Sequence, residues 1–371
     1  MDVSDLNSLT TQVLLMAFLL SSVLGAIAQK THFCTMGAVS DVVNMGDWTR
    51  MRQWGLAIGV AMIGFALLSY TGQIDATKTI HSSNRWIWLS AVVGGAMFGF
   101  GMVLASGCGN KTLVRMGSGS LKALIVMLVM GLAAFATLKG ITAVIRVATV
   151  DQMVYEFPHV ANLSYWAARA FNLAPGVTTL ILGVTLGSAF MVWALIGERF
   201  FRFENLLAGF GVGLIVVAMW WVSGHLGFVA EHPVTLEPVY LSTNSGRIES
   251  LSFVAPVAYL LDWLLFYSDK SKLLTLGIVS VAGVILGSAI TAIVTRTFRW
   301  EGFASIEDVA NHLVGALLMG VGGVTAMGCT VGQGVAGLST LGLSSMVAFV
   351  FILAGAVLAF KYQIWRLQGS L

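Results

Sequence analysis

Two Gly-Cys steps lie inside apolar sequence, Ser106-Gly107-Cys108-Gly109-Asn110-Lys111-Thr112 and Met327-Gly328-Cys329-Thr330-Val331-Gly332-Gln333. With Cys34 they hold all three cysteines of the 371 residues. Thiols at matching points of two halves, with one elsewhere, imply handling of a sulphur-containing or thiol-reactive small molecule. Three cysteines cannot all pair and none forms Cys-x-x-Cys, so free thiols are expected rather than a disulfide framework. Soft thiolates could hold Cu(I) or Zn. No Cys or His pair has ligand spacing and the six histidines are scattered, so no metal and no cofactor are expected.

The stretch 328–343 is too glycine-rich for a helix facing lipid and too apolar for an aqueous loop. Irregular backbone survives at membrane depth only when it is buried in protein or lines a cavity, because every backbone donor there needs a partner. A re-entrant half-helix beginning near Cys329 meets both conditions. A second half-helix starting after Cys108, capped by Asn110 or Thr112, would turn its first N–H groups toward the thiol. Helix N-termini bind anions. Lys111 and Arg115 follow Cys108 on the same helical face and would draw anions in; the plainer alternative is that they snorkel to the headgroups. Gly107, Gly109, Asn110, Thr112, Gly328, Thr330 and Gln333 complete the candidate pathway with the three cysteines, and no catalytic residue is identified. Cys34 stands in Gln29-Lys30-Thr31-His32-Phe33-Cys34-Thr35-Met36-Gly37. Its counterpart in the second half is expected near Ser223-Gly224-His225-Leu226-Gly227-Phe228, where no Cys occurs; this would match His32 with His225, though structural, hydrogen-bonding histidines are the plainer reading.

The elements that position these residues must be membrane helices. The chain is 57% hydrophobic and 10% charged, with a mean hydropathy of +0.87, about half or less of the usual charged share of a soluble domain. The net charge of +3 is mild and scattered, and gives no reason to expect nucleic acid. Candidate segments are 11–28, 54–72, 86–106, 121–138, 177–197, 206–223, 251–267, 273–294, 311–327 and 345–361, most close to the ~20 residues that cross the hydrocarbon. Ala26-Ile27-Ala28 imitates a signal-cleavage step, but Asp2 and Asp5 stand where positive charge would be needed, so 11–28 reads as a retained span. Aligning Cys108 with Cys329, an offset of 221, also lays Gly94, Gly99, Gly101 and Gly107 on Gly315, Gly320, Gly322 and Gly328. A first repeat of about 11–145, a connecting region of about 146–175 with an interfacial helix, and a second repeat of about 176–362 follow. Such duplicated units place a substrate site at their interface, on interrupted helices.

Lys361 and Arg366 near the C-terminus, against Asp2 and Asp5 at the N-terminus and Glu231, Glu237 and Glu249 in the 225–250 loop, favour an N-terminus outside and a cytoplasmic C-terminus. That demands an odd number of crossings, so one of the ten segments should be a partial span. The expected fold is one all-α polytopic membrane domain of about nine full transmembrane helices plus re-entrant half-helices, in two pseudo-symmetric halves.

Three segments, Gln-x-x-x-Phe-Cys-x-x-Gly at 29–37, Gly-Cys-x-x-x-Thr-x-x-Arg at 107–115 and Gly-Cys-x-x-Gly-x-Gly at 328–334, resemble the signatures of the YeeE/YedE sulphur-transport family. The resemblance covers nearly the whole chain. It implies a bacterial inner-membrane protein that takes up thiosulphate, with Cys34, Cys108 and Cys329 lining a narrow central path and a small cytosolic sulphur carrier of the TusA type as partner. Family members linked to selenium metabolism make a selenium compound an alternative cargo. A rival class, a membrane thiol-disulfide oxidoreductase, would use the same cysteines. Acids in or near the spans, Asp262, Glu307 and Asp308, stand near segment ends, so uptake is expected to be sustained by removal of the anion on the cytosolic side rather than by an internal proton relay.

Overall fold

The computed structural model describes residues 3–198, 200–233 and 236–368, apart from the side chains of Val3 and Leu367; Asp2, used above, lies outside the described residues. Helices dominate because the bilayer leaves the backbone no partner but itself. They are α1 (Val3–Thr31), α2 (Thr35–Met45), α3 (Thr49–Tyr70), α4 (Trp88–Leu104), α5 (Gly109–Gly117), α6 (Leu121–Lys139), α7 (Ile141–Ala148), α8 (Leu163–Phe171), α9 (Pro175–Leu195), α10 (Phe203–Trp221), α11 (Ala255–Leu265), α12 (Leu276–Val294), α13 (Ile306–Thr325) and α14 (Leu343–Gln368). A short, wide-turned helix, Thr330–Gly337, stands between α13 and α14.

Nine stretches among the described residues are long and apolar enough to cross a membrane. The tenth expected segment, 251–267, contains only the eleven residues of α11, about 16 Å of helix and half a bilayer. This is the partial span that the odd count required. Three of the long stretches are interrupted: α1 gives way to α2 at Cys34, α4 to α5 at Cys108, and α13 to Thr330–Gly337 at Cys329.

The helices pack reciprocally across the two halves. α1 packs on α12 and α10 on α3; α4 packs on α14 and α13 on α6; α2 touches α14 and α11 touches α6. α4 and α13 cross each other at the centre, antiparallel, through the glycines that repeat in the sequence. A Cβ added to Gly101 would sit 2.6 Å from the Gly315 oxygen, and one on Gly315 would sit 2.6 Å from the Gly101 oxygen. Gly94 and Gly322 meet in the same way, at 2.8 and 2.7 Å. Gly94 matches Gly315 and Gly101 matches Gly322 in sequence, yet the contacts run crosswise, as an inverted repeat with its two-fold axis in the membrane plane requires. Close approach of small residues supplies the packing that a hydrophobic drive cannot supply inside lipid. α9 stands outside this scheme and packs on α3.

Three long connections share one end of the bundle. Arg85–Ile87 pairs antiparallel with Val154–Glu156, and Thr79 bridges Ile248 while Asn162 bridges Gly342. The 146–175 region holds part of α7, a strand and α8, the last being the short helix expected there. At the other end Ser120 bridges Glu301, and ion pairs join Lys122 to Asp308 and Arg366 to Glu307.

Candidate functional site

Each cysteine is the cap residue of a short helix, and each is reached by the same local backbone. Two residues before it stands a non-glycine residue in the left-handed region: His32 (φ 53°), Ser106 (φ 56°) and Met327 (φ 57°). That conformation ends the preceding helix, as the N–H of Gly107 bonds to Met102 O at 2.9 Å and the N–H of Gly328 to Gly323 O at 2.8 Å. The cysteine itself is extended, with φ of −159°, −76° and −98° for Cys34, Cys108 and Cys329. Its carbonyl accepts the first bond of the next helix, from Ala38, Thr112 and Gln333 respectively. A left-handed L-residue costs of order 1–2 kcal/mol, so three repeats of it point to a constraint stronger than local preference.

The sequence reading expected Asn110 or Thr112 to cap α5. The cap is Cys108, and the Thr112 hydroxyl instead donates to the Cys108 carbonyl at 3.0 Å. At Cys329 the expectation of a half-helix start holds, and the sulphur accepts the N–H of Gly332 at 3.5 Å.

A fourth helix start completes the set. α2 and α11 are both eleven residues long, and Phe33-Cys34 before one corresponds to Phe253-Val254 before the other. The carbonyl of Val254 accepts from Ala258, as that of Cys34 does from Ala38. The counterpart of Cys34 is therefore Val254, and not a residue of 223–228. Those residues close the turn after α10, and His225 is exposed. Counting from the end of the preceding long helix failed because three residues separate α1 from α2, whereas the loop 227–254 intervenes before α11; the offset of 221 that aligns the other two cysteines carries Cys34 to Ala255, next to Val254.

The four starts converge. The Cys108 thiol meets the Cys34 thiol, the Thr330 hydroxyl and the backbone N–H groups of Lys111 and Thr35. The Cys329 thiol meets the N–H groups of Gly332, Val331 and Phe253. A Cβ on Gly109 would lie 3.7 Å from both Phe253 and Val254. All three cysteines are free thiols and are buried, at 4%, 1% and 0% exposure for Cys34, Cys108 and Cys329. Around them Thr35 Oγ1, Asn110 Oδ1, Thr330 Oγ1 and Gln333 Oε1 are buried with no hydrogen-bond partner beyond the sulphur beside Thr330. Gln333 Nε2 donates to Ala326 O at 2.6 Å, which fixes the side chain. Each orphaned polar atom costs about 1–3 kcal/mol; the Thr35 and Thr330 hydroxyls can donate to an acceptor guest, whereas Asn110 Oδ1 and Gln333 Oε1 only accept and need a donor such as water or a thiol.

Lys111 and Arg115 part company. Arg115 donates to Ser106 O at 3.1 Å and pairs with Glu301 at 3.1 Å, bracing the break ahead of Cys108. Burial raises the Glu301 carboxyl, but hydrogen bonding and charge from Arg115, with Lys122 behind it, outweigh that and hold it below the usual range. Lys111 has no acidic partner among the described residues; it lies near Cys34, Cys108 and the Arg50 guanidinium, and Arg50 is itself paired with buried Asp41. Gly107 and Gly328 leave room where Lys111 Cγ and Gln333 Cγ would be 3.4 and 3.1 Å from an added Cβ.

A cavity of about 380 Å³ opens from the end of the bundle that carries the long connections and reaches Gly328 and Gly332, on either side of Cys329. Its walls include His81, Asn244, Ser245, Glu249, Ser252 and Tyr259, which the sequence reading did not assign to the site. Burial pushes the His81 imidazole down to about 4. The available signal was the apolar opening of candidate segment 251–267, Leu251 and Phe253, directly after the charged loop; both are buried, at 1% and 0% exposure.

The family model described as sulphur transport matches residues 30–358. A thiosulfate transporter, TsuA, of Escherichia coli K12 is 26% identical over 352 residues, covering 92% of each chain. The thiosulfate transporter TsuA of Spirochaeta thermophila is 27% identical over 340 residues, covering 89% of this chain and 93% of its own.

Proposed function

Because the chain belongs to the sulphur transport family, we propose that it takes up thiosulphate, or a closely related inorganic sulphur anion, across the bacterial inner membrane. The path runs from the cavity through Cys329 and Cys108 to Cys34 and Lys111. The names of its two relatives support the cargo. The observation that carries the path is the meeting of four half-helix starts around three buried thiols and the buried Thr35 and Thr330 hydroxyls, which can donate to an anion.

Thiosulphate is a dianion with one large, polarisable sulphur. Moving it bare into low dielectric costs tens of kcal/mol. Four helix N-termini at ~0.5–2 kcal/mol each return about 2–8 kcal/mol, so the thiols, the Thr330 hydroxyl and the free N–H groups must supply charge-assisted bonds of about 1.5–3 kcal/mol apiece. Thiols are weak donors and soft contacts, suited to passing such an ion along without holding it. Lys111 attracts the anion at the far end; Arg115, spent on Glu301 and Ser106, acts mainly by holding the break in shape.

The end of the bundle opposite the cavity is the more basic, with Arg50, Arg52, Arg115, Lys122, Arg296, Arg299 and Arg366. By the Lys/Arg rule it faces the cytoplasm, so the cavity and the N-terminus face outward. An inside-negative potential opposes a dianion by about 4.6 kcal/mol per 100 mV. Removal of the ion by a cytosolic sulphur carrier of the TusA type at the basic end supports net uptake. A selenium oxyanion analogue would meet the same donors.

Labelled thiosulphate uptake in cells lacking other routes tests this. Cys34→Ala, Cys108→Ala and Cys329→Ala should each reduce uptake strongly at equal protein levels. Full uptake in all three variants refutes the path. The contact between the Cys34 and Cys108 thiols also favours a second reading, disulfide exchange. Thiol trapping separates the two, since a stable internal disulfide under mild oxidant would support exchange over transport.

A further inference from the structure

Three acids are buried among the described residues: Asp41, Asp262 and Glu249, at 4%, 7% and 9% exposure. Asp41 is paired with Arg50 and Asp262 with Lys272. Glu249 has no cationic partner among the described residues; its carboxylate accepts the N–H of Ser245 at 2.7 Å. Its backbone is fixed, since the N–H of Glu249 donates to Ser223 Oγ at 2.9 Å and the neighbouring Ile248 bridges to the 78–80 segment. Glu249 therefore stands in the wall of the cavity that ends beside Cys329, six residues before the start of α11.

The groups facing it do not neutralise it. Arg146, which also lines the cavity, forms an ion pair with Asp151 at 3.0 Å. Arg247, on the same loop, donates to Ser82 O at 2.6 Å. The 78–81 segment brings His81, which is neutral near pH 7 since burial holds it at about 4, and Lys78, whose carbonyl rather than its ammonium meets this strand. α11 brings Tyr259, and Asp262 beyond it adds negative charge. α12 and α13 contribute Gly277, Gly323, Val324 and Thr325 to the wall, none of them charged.

Resting on the transport reading above, we propose that Glu249 is a proton-dependent gate in the outer vestibule: protonated, its carboxyl hydrogen-bonds the incoming sulphur anion, and ionised, it repels it. A buried carboxylate with no counter-charge favours its neutral form, and burial pushes this one above the ordinary range against the opposing bonds from Ser245 and Asn244. The sequence reading found little for a proton because it counted acids within the spans; this acid sits in a loop that folds back into the protein. The proton comes from external water and stays on the carboxyl while the anion is bound, so anion binding and proton binding reinforce each other.

The test uses the purified full-length protein in liposomes with the membrane potential clamped. Labelled thiosulphate uptake should rise at least about fivefold as the external pH falls from about 8 to about 5. Glu249→Gln keeps the size and the acceptor for Ser245 without the charge, and should give uptake at pH 8 close to the acid rate of the unaltered protein, with a flat profile. Glu249→Asp should keep a profile. An unaltered pH dependence in Glu249→Gln, or a flat profile in the unaltered protein, overturns the proposal. A second measurement needs no variant: adding thiosulphate to the protein at about pH 8 in weak buffer should take up protons from solution, and none taken up on saturation with bound anion overturns the gate. Absence of both uptake and binding at every pH would sink the transport reading itself.

Discussion

Replacing Gly315 by alanine perturbs the pathway without touching a thiol. The added Cβ would lie 2.6 Å from Ala105 N and from Gly101 O, and 3.0 Å from Ala105 Cβ. Ordinary contacts of this kind begin near 3.5 Å, so α4 and α13 must part by about 1 Å. Overpacking of this size costs about 1–3 kcal/mol. Ala105 immediately precedes the left-handed Ser106 and stands three residues from Cys108, so the displacement is delivered to the cap of α5. Sites of this kind tolerate about 0.5 Å, and labelled thiosulphate uptake per molecule in the membrane should fall about tenfold or more. The melting temperature in detergent should fall by a few degrees. Gly302→Ala, where nothing lies within 4 Å of the added carbon, is the control. Gly101→Ala intrudes on the same gap from the other side, so the double variant should lose less than the sum of the two. Wild-type uptake and melting in Gly315→Ala would refute the reasoning, because the α4–α13 crossing could then not be what sets the spacing of the two breaks.

The remaining predictions concern the site more directly. Cys108→Ser, which keeps a donor but loses softness, should retain more uptake than Cys108→Ala. Thiosulphate should slow alkylation of Cys108 by a small maleimide; an unchanged labelling rate at saturating anion would place the ion elsewhere. Lys111→Met should raise the concentration needed for half-maximal uptake several-fold with little effect on melting, whereas Arg115→Met should lower the melting temperature, because it strips Glu301 and Ser106 O of their shared partner; the reverse pattern would overturn the division of labour between them. His81, held at about 4 by burial against its usual 6.5, favours the folded state when neutral. That stability is complete above about pH 6.5 and is lost as pH falls toward about 4, by at most about 3 kcal/mol. Melting curves should show this slope in the unaltered protein and lose it in His81→Gln.

The sequence by itself determined that this is a helical membrane protein with duplicated, interrupted segments, because hydropathy and the repeat of Gly94, Gly101 and Cys108 at Gly315, Gly322 and Cys329 are properties of local composition. Backbone that is broken inside hydrocarbon must be buried, so the half-helix at Cys329 was legible too. Which residues meet was not. The reciprocal crossing of α4 and α13, the pairing of Cys34 with Val254 across a long loop, the diversion of Arg115 to Glu301, and the descent of Glu249 into the vestibule depend on contacts between residues far apart in the chain. Only the packed structure decides them, because burial and a missing counter-charge are facts about neighbours, and a linear pattern names neighbours only along one helix or strand.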